Sequence, residues 1–145
     1  MCGRPHWGLY GAAGLLLIRQ QGEVAEVLLQ LRAAWTHGGG TWALPGGALD
    51  SHEDSVTGAA REAWEEVGVH PSVLEVKGIF SDDHGNWRYD TVIAHCNSEV
   101  NAFEANAESE EIRWVSVHSV TDYDLHPGLA ASWGEILPRV LGTLA

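Results

Sequence analysis

Glu62, Glu65 and Glu66 stand three and four residues apart, and a helix turning about 100° per residue would gather them within roughly 100° of its circumference. Like charges at these spacings destabilise an isolated helix by about 0.2–0.5 kcal/mol per pair, so the cluster gains nothing unless a cation reverses the sign. Hard divalent ions such as Mg²⁺ take oxygen ligands, keep several waters and bridge carboxylates to phosphate oxygens. For an isolated Glu-x-x-Glu-Glu the competing explanation is an ordinary solvated acidic face.

The neighbouring residues favour a site. From Trp35 through Gly47 the chain carries five glycines and Pro45, a composition suited to backbone that must approach a ligand closely. A carbonyl from its end, Leu44-Pro45-Gly46-Gly47, could complete a coordination shell. From Gly47 the chain runs five residues to Glu53, seven more to Arg61-Glu62, and on through Glu65-Glu66 to Gly68-Val69. At average residue usage these fixed positions arise by chance on the order of once in 10⁸ to 10⁹ starting points.

This array resembles the box of the Nudix hydrolase family, Gly-x5-Glu-x7-Arg-Glu-U-x-Glu-Glu-x-Gly-U, where U is a bulky aliphatic residue. Every invariant position is matched, and Ala63, at the first U, is smaller than the usual Leu or Ile. A looser similarity covers Trp42 to Gly47 and Glu111-Ile112-Arg113-Trp114-Val115. The resemblance implies an α/β/α sandwich, a mixed β-sheet between helices, that hydrolyses a nucleoside diphosphate linked to another group with Mg²⁺ or Mn²⁺. By position it implies Glu62, Glu65, Glu66 and the Gly46 carbonyl as metal ligands, with Arg61 and Glu53 as a supporting pair. One glutamate would deprotonate water: Glu62 or Glu65 within the box, or Glu108 or Glu111 beyond it, Glu111 ranking first of the later two.

Phosphoryl transfer asks mainly for positioning and charge neutralisation. A bound ion would acidify water, a carboxylate would take the proton, and a second ion would stabilise the leaving oxygen. The expected substrate is a (deoxy)nucleoside triphosphate, cleaved to the monophosphate and pyrophosphate. Alternatives are an ADP-ribose or other nucleotide-sugar pyrophosphatase, and a nucleotide-sensing module that does not cut. The Pro of ADP-ribose branches is absent at Asp83 to Gly85, and Tyr89 lies a few residues from the Tyr of the dinucleoside polyphosphate branch.

These residues need a scaffold. Apolar runs at 9–18 and 24–31 flank Gln20 to Glu23 and read as two strands joined by a tight turn. Residues 54–67 carry Val56, Ala60, Ala63 and Val67 at helical spacing, with Gly68 as the cap. Strands at 73–80 and 87–96 would form a hairpin about Ser81 to Asn86, and 111–115 is a further strand. Pro127 suits the first turn of a helix that Pro138 should end or kink. Strands interrupted by helices predict a mixed sheet with helices packed on it.

On that scaffold Arg32, ending the second strand, could reach distal phosphates or be a solvated strand end, and Gly47 would let substrate approach the backbone. Trp35, His84 and Trp87 are the base-binding candidates, whereas Trp64 and Trp114 are assigned to packing. None of the eight His has the spacing of a zinc site. Asp122 to Gly128 reads as a helix start rather than a lid.

The 145 residues are read as a single domain, 1–145, and their formal charge of −12 repels polyanions, which excludes bulk nucleic acid as a partner. A small nucleotide remains accessible where cations invert the local field. Cys2 and Cys96 are expected as reduced thiols. Gly8 to Ile18 is too short to span a bilayer and runs into Arg19 without a cleavage pattern. It is expected to be a buried strand in a cytoplasmic protein, monomeric or homodimeric.

Overall fold

A computed structural model describes residues 11–33, 39–50, 52–83, 88–97, 99–107 and 109–144. Among the described residues seven strands form one sheet, with two α-helices. Strand β1 (Ala12–Gln21) turns through Gly22-Glu23 into β2 (Val24–Arg32), pairing antiparallel from Ile18↔Val27 to Gln21↔Val24. Gly22 sits at φ +63°, the left-handed conformation that a two-residue hairpin turn demands.

Beyond Ile18 the two strands take different partners. The gap is filled by β3 (Trp42–Ala43) on β2 and β4 (Gly46–Ala48) on β1. These short strands lie within the glycine-rich segment expected to be a loop. They exist because the edges of β1 and β2 offer backbone groups that need partners: Leu15 N–H, for example, donates to the Pro45 carbonyl at 2.8 Å.

On the far side of β1, β6 (Arg88–Cys96) runs parallel to it, and β5 (Glu75–Asp83) pairs antiparallel with β6 at the sheet edge. The hairpin strand reaches Asp83, three residues into the expected turn. Strand β7 (Ser109–Ser116) pairs antiparallel with β2.

Side-chain alternation divides the core. Leu16, Ile18, Val27 and Leu29 pack on one face against helix α2 (Pro127–Gly142) through Trp133, Ile136 and Val140. Ala13, Leu15, Leu17 and Leu28 pack on the other against helix α1 (Ser55–Val67) through Ala59, Ala63 and Val67. The result is an α/β/α sandwich.

Two sequence expectations are corrected. Helix α2 does not end at Pro138 but continues to Gly142. Pro138 and Gly134, the residue whose carbonyl loses a donor, are both exposed, so water can serve that carbonyl while the apolar stripe stays in phase. Trp64 is not packing: it is 52% exposed, about 100° around the helix from Ala63, with its edge toward the His70 ring. Trp114 is half-buried beneath the Arg19 guanidinium. Cys96 is a free thiol, pushed up to about 11 by burial. No helix among the described residues is long and apolar enough to cross a membrane.

Candidate active site

Helix α1 begins where Asp54 accepts a hydrogen bond from the Thr57 N–H at 2.7 Å. That bond holds the Asp54 carboxyl below its usual range, as expected of an N-cap acceptor. The helix ends at Gly68, whose φ of +71° fits a left-handed C-cap. Glu62, Glu65 and Glu66 lie in its C-terminal half, and β4 runs close beside it.

Arg61 joins these parts. Its Nε donates to Glu53 Oε2 at 2.8 Å and its Nη2 to Glu53 Oε1 at 3.0 Å, the bidentate arrangement of a guanidinium on a carboxylate. Nη2 also donates to the Ala48 carbonyl of β4 at 3.2 Å, while Nη1 donates to Glu62 and Glu65 at 3.1 Å each. Glu53 accepts a further bond from the Asp50 N–H at 3.0 Å. The hydrogen bonds from Arg61 hold Glu53 below the usual carboxylate range against the opposing effect of burial, and Glu53 raises Arg61 in return.

Gly47 borders the Glu62 carboxylate so closely that a Cβ there would sit 2.5 Å from Oε1. Gly46 pairs with Gly14, and a Cβ on it would come within 2.6 Å of the Ala13 carbonyl oxygen. At Gly46 the clash is with backbone, so glycine is demanded on steric grounds; at Gly47 a Cβ would meet only the end of the Glu62 side chain, so glycine there is what lets that carboxylate lie against β4.

Glu66 is placed differently from the other two. Its side chain is 1% exposed and Oε1 accepts from Gln30 Nε2 at 2.6 Å. Gln30, fully buried in β2, accepts in turn from Ser109 Oγ at 2.5 Å. The Glu66 backbone carbonyl accepts from the Ala105 N–H at 2.9 Å.

Close by, the Tyr89 hydroxyl lies over Gly14, where no larger residue would fit. Burial pushes the Tyr89 phenol up; the charges of Glu66 and Glu62 act in the same direction and Arg32 acts against them. Glu66, Glu62 and Arg32, three expected site residues, thus all act on the Tyr89 phenol.

Glu111 is not brought to this face. It pairs with Leu31 on β2, whereas the neighbouring pair Ile112↔Gln30 points toward α1. Strand alternation turns Glu111 to the opposite side of the sheet, where it forms an ion pair with Arg113 at 2.5 Å. Arg113 lies over the rings of Trp42 and Tyr123. Trp35, His84, Trp87 and Glu108 fall outside the described residues.

Among the described residues no three acidic, imidazole or thiol groups converge into a cation site. Glu62 and Glu65 share one guanidinium nitrogen, and Glu66 is tied to Gln30. The donor chemistry nevertheless fits a hard divalent ion: only carboxylate and backbone oxygens are offered, and the missing Cβ of Gly47 leaves Glu62 directly against the backbone of β4.

Gln30 and Ser109 escaped the sequence reading, and Tyr89 enters it only as a substrate-branch signature. The one signal for Gln30 is a lone amide within the apolar run Val27-Leu28-Leu29-Gln30-Leu31.

Comparison with known proteins agrees with this architecture. Residues 9–139 match the model of the NUDIX domain. A Mycobacterium tuberculosis protein named "Putative 8-oxo-dGTP diphosphatase 3" is 48% identical over 139 residues, covering 90% of this chain and 63% of that protein. A Bifidobacterium longum nucleoside triphosphate pyrophosphatase/Nudix hydrolase fusion protein is 41% identical over 145 residues, covering 96% of this chain and 30% of its own length. The chain thus spans less than two thirds of either relative. The crystal structure of RenU, a Nudix hydrolase from M. smegmatis, superposes with a TM-score of 0.90 at 43% identity, covering 97% of this chain and 91% of that one.

Proposed function

The chain belongs to the Nudix family, and from that premise we propose that it hydrolyses the diphosphate linkage of a small nucleotide, releasing a nucleoside monophosphate and pyrophosphate from a (deoxy)nucleoside triphosphate. The observation that carries this reading is the convergence on α1 of a buried Glu66, a Glu62 set against Gly47, and an Arg61 clamped by Glu53. An ordinary solvated acidic helix does not bury one carboxylate and brace the others from a preceding strand and loop.

Glu62, Glu65 and Glu66, with the Gly46 carbonyl, are the residues that would hold Mg²⁺ or Mn²⁺. Such an ion supplies charge neutralisation on the diphosphate and acidifies water. The chain's own part is positional. Arg61 fixes the orientation of Glu62 and Glu65, Gly47 keeps the backbone close to Glu62, and Arg32 offers a cation to the phosphates. With Glu111 on the other face of the sheet, Glu62 or Glu65 is the first choice for the group that takes the proton from water.

The relative named as an 8-oxo-dGTP diphosphatase puts 8-oxo-dGTP first among substrates to try. The test is pyrophosphate and phosphate release from a panel of ordinary and oxidised (deoxy)nucleoside triphosphates, ADP-ribose and a dinucleoside polyphosphate, with Mg²⁺, with Mn²⁺ and with chelator. Metal-dependent formation of monophosphate and pyrophosphate supports the reading. A chain that cleaves none of them, yet melts at a higher temperature with one bound, is a sensor instead.

A further inference from the structure

We infer that Gln30 and Ser109 are positioning residues for Glu66, setting the rotation of its carboxylate for the ligand role given to it above, on which this inference rests. Strand β2 points Leu28 and Gln30 toward α1. An aliphatic side chain at position 30 would continue that apolar row, whereas a buried amide costs about 1–3 kcal/mol for each end left without a partner. Here both ends are matched. The amide nitrogen donates to Glu66 Oε1 at 2.6 Å, and the amide oxygen accepts from Ser109 Oγ at 2.5 Å.

The polarity of this chain is fixed by its last member. As a metal ligand Glu66 is a carboxylate, which only accepts, so in that role the NH₂ group faces Glu66 and the amide oxygen faces the hydroxyl of Ser109. A flipped amide would press two oxygens together. Ser109 thus acts on Glu66 through Gln30, from 43 positions further along the sequence.

The segment entering β7 also reaches the same glutamate through the backbone, because Ala105 N–H donates to the Glu66 carbonyl at 2.9 Å. Ala105 and Ser109 therefore hold Glu66 at its main chain and, by way of Gln30, at its carboxylate. Ser109 pairs with Arg32 at the irregularity in the β2–β7 register between Leu31 and Arg32. Partners that orient a metal ligand in this way commonly carry a 10–100-fold share of metal affinity.

The experiment measures Mn²⁺ affinity of the full chain by electron paramagnetic resonance, without substrate, for wild type, Gln30→Leu, Ser109→Ala, Glu66→Gln and the double variant Gln30→Leu/Glu66→Gln. Folding is checked by chemical denaturation. Glu66→Gln is expected to weaken Mn²⁺ binding, Gln30→Leu to weaken it by about 10–100-fold, and Ser109→Ala to weaken it less but in the same direction. The double variant is expected to bind no more weakly than Glu66→Gln alone, because Gln30 acts through Glu66.

Wild-type affinity in Gln30→Leu and Ser109→Ala beside a weakened Glu66→Gln overturns the positioning role and leaves the proposed function standing. Fully additive losses in the double variant also overturn it. Wild-type affinity in Glu66→Gln removes the ligand role itself, and the inference falls with it. If Gln30→Leu does not fold, Ser109→Ala, which removes a single oxygen, decides the matter.

Discussion

Arg61 and Glu53 meet through two parallel contacts, Nε to Oε2 at 2.8 Å and Nη2 to Oε1 at 3.0 Å, with 10% of the Glu53 side chain and 29% of the Arg61 side chain exposed. The same guanidinium holds the Ala48 carbonyl, Glu62 and Glu65. Lysine keeps the charge but cannot reproduce this fork. Arg61→Lys is therefore expected to lose about 1.5–3 kcal/mol of stability and at least about tenfold in turnover. Urea denaturation and steady-state kinetics on the same preparation check both. Wild-type turnover would show that charge alone suffices.

Gly47 makes a steric prediction. A methyl group there would lie 2.5 Å from Glu62 Oε1 and 2.6 Å from its Cδ, well inside van der Waals contact. Because Glu62 is a side chain near the surface of α1, it can swing away, so the fold should survive Gly47→Ala while the carboxylate leaves its place beside β4. Mn²⁺ affinity and turnover should each fall about 10–100-fold. A variant with unchanged Mn²⁺ affinity would remove Glu62 from the ligand set.

What could be read from the sequence was what is local in it. The box from Gly47 to Val69 places its carboxylates on one helix, so spacing alone predicts a shared face; the apolar runs likewise predict the long strands. What escaped is non-local. Gln30 meets Glu66 across 36 positions and Ser109 meets Gln30 across 79, and nothing in either segment names the other. Strands β3 and β4 have two and three residues and depend on the exposed edges of β1 and β2 rather than on propensity. The phase of β7 was ambiguous because Ile112 and Val115 are both apolar yet face opposite sides, which leaves the direction of Glu111 open until the register is known.

His95 gives a pH dependence. Burial, first, and then the charge of Lys77 hold its imidazole below the ordinary value of 6.5, against an opposing pull from Glu75. Thr143 Oγ1 donates to the Val140 carbonyl at 2.7 Å and so accepts from His95 Nε2, 2.8 Å away, a tie between β6 and the end of α2. With the folded-state value depressed, the unfolded chain binds the proton more readily. The contribution to stability is complete above pH 6.5 and is lost as pH falls through the folded-state value. Denaturant midpoints at about pH 7.5 and about pH 5 should therefore differ more in wild type than in His95→Asn. Equal pH dependence in the two proteins would remove His95 as a contributor.

Helix α2 carries two residues that disfavour a helix interior one turn apart, Gly134 and Pro138. A Cβ at Gly134 would meet nothing within 4 Å, and the position is exposed, so Gly134→Ala should raise stability by about 0.5–1 kcal/mol through reduced freedom of the unfolded chain. Pro138→Ala restores a donor for the Gly134 carbonyl and removes the ring that crowds it. Its gain should be smaller than the roughly 3 kcal/mol typical of an interior proline, since the helix already continues past it and water can reach the carbonyl. Both variants should shift the urea midpoint upward with an unchanged slope. A loss of stability in Gly134→Ala but not in Gly134→Ala/Pro138→Ala would show instead that the glycine is needed to accommodate the proline ring.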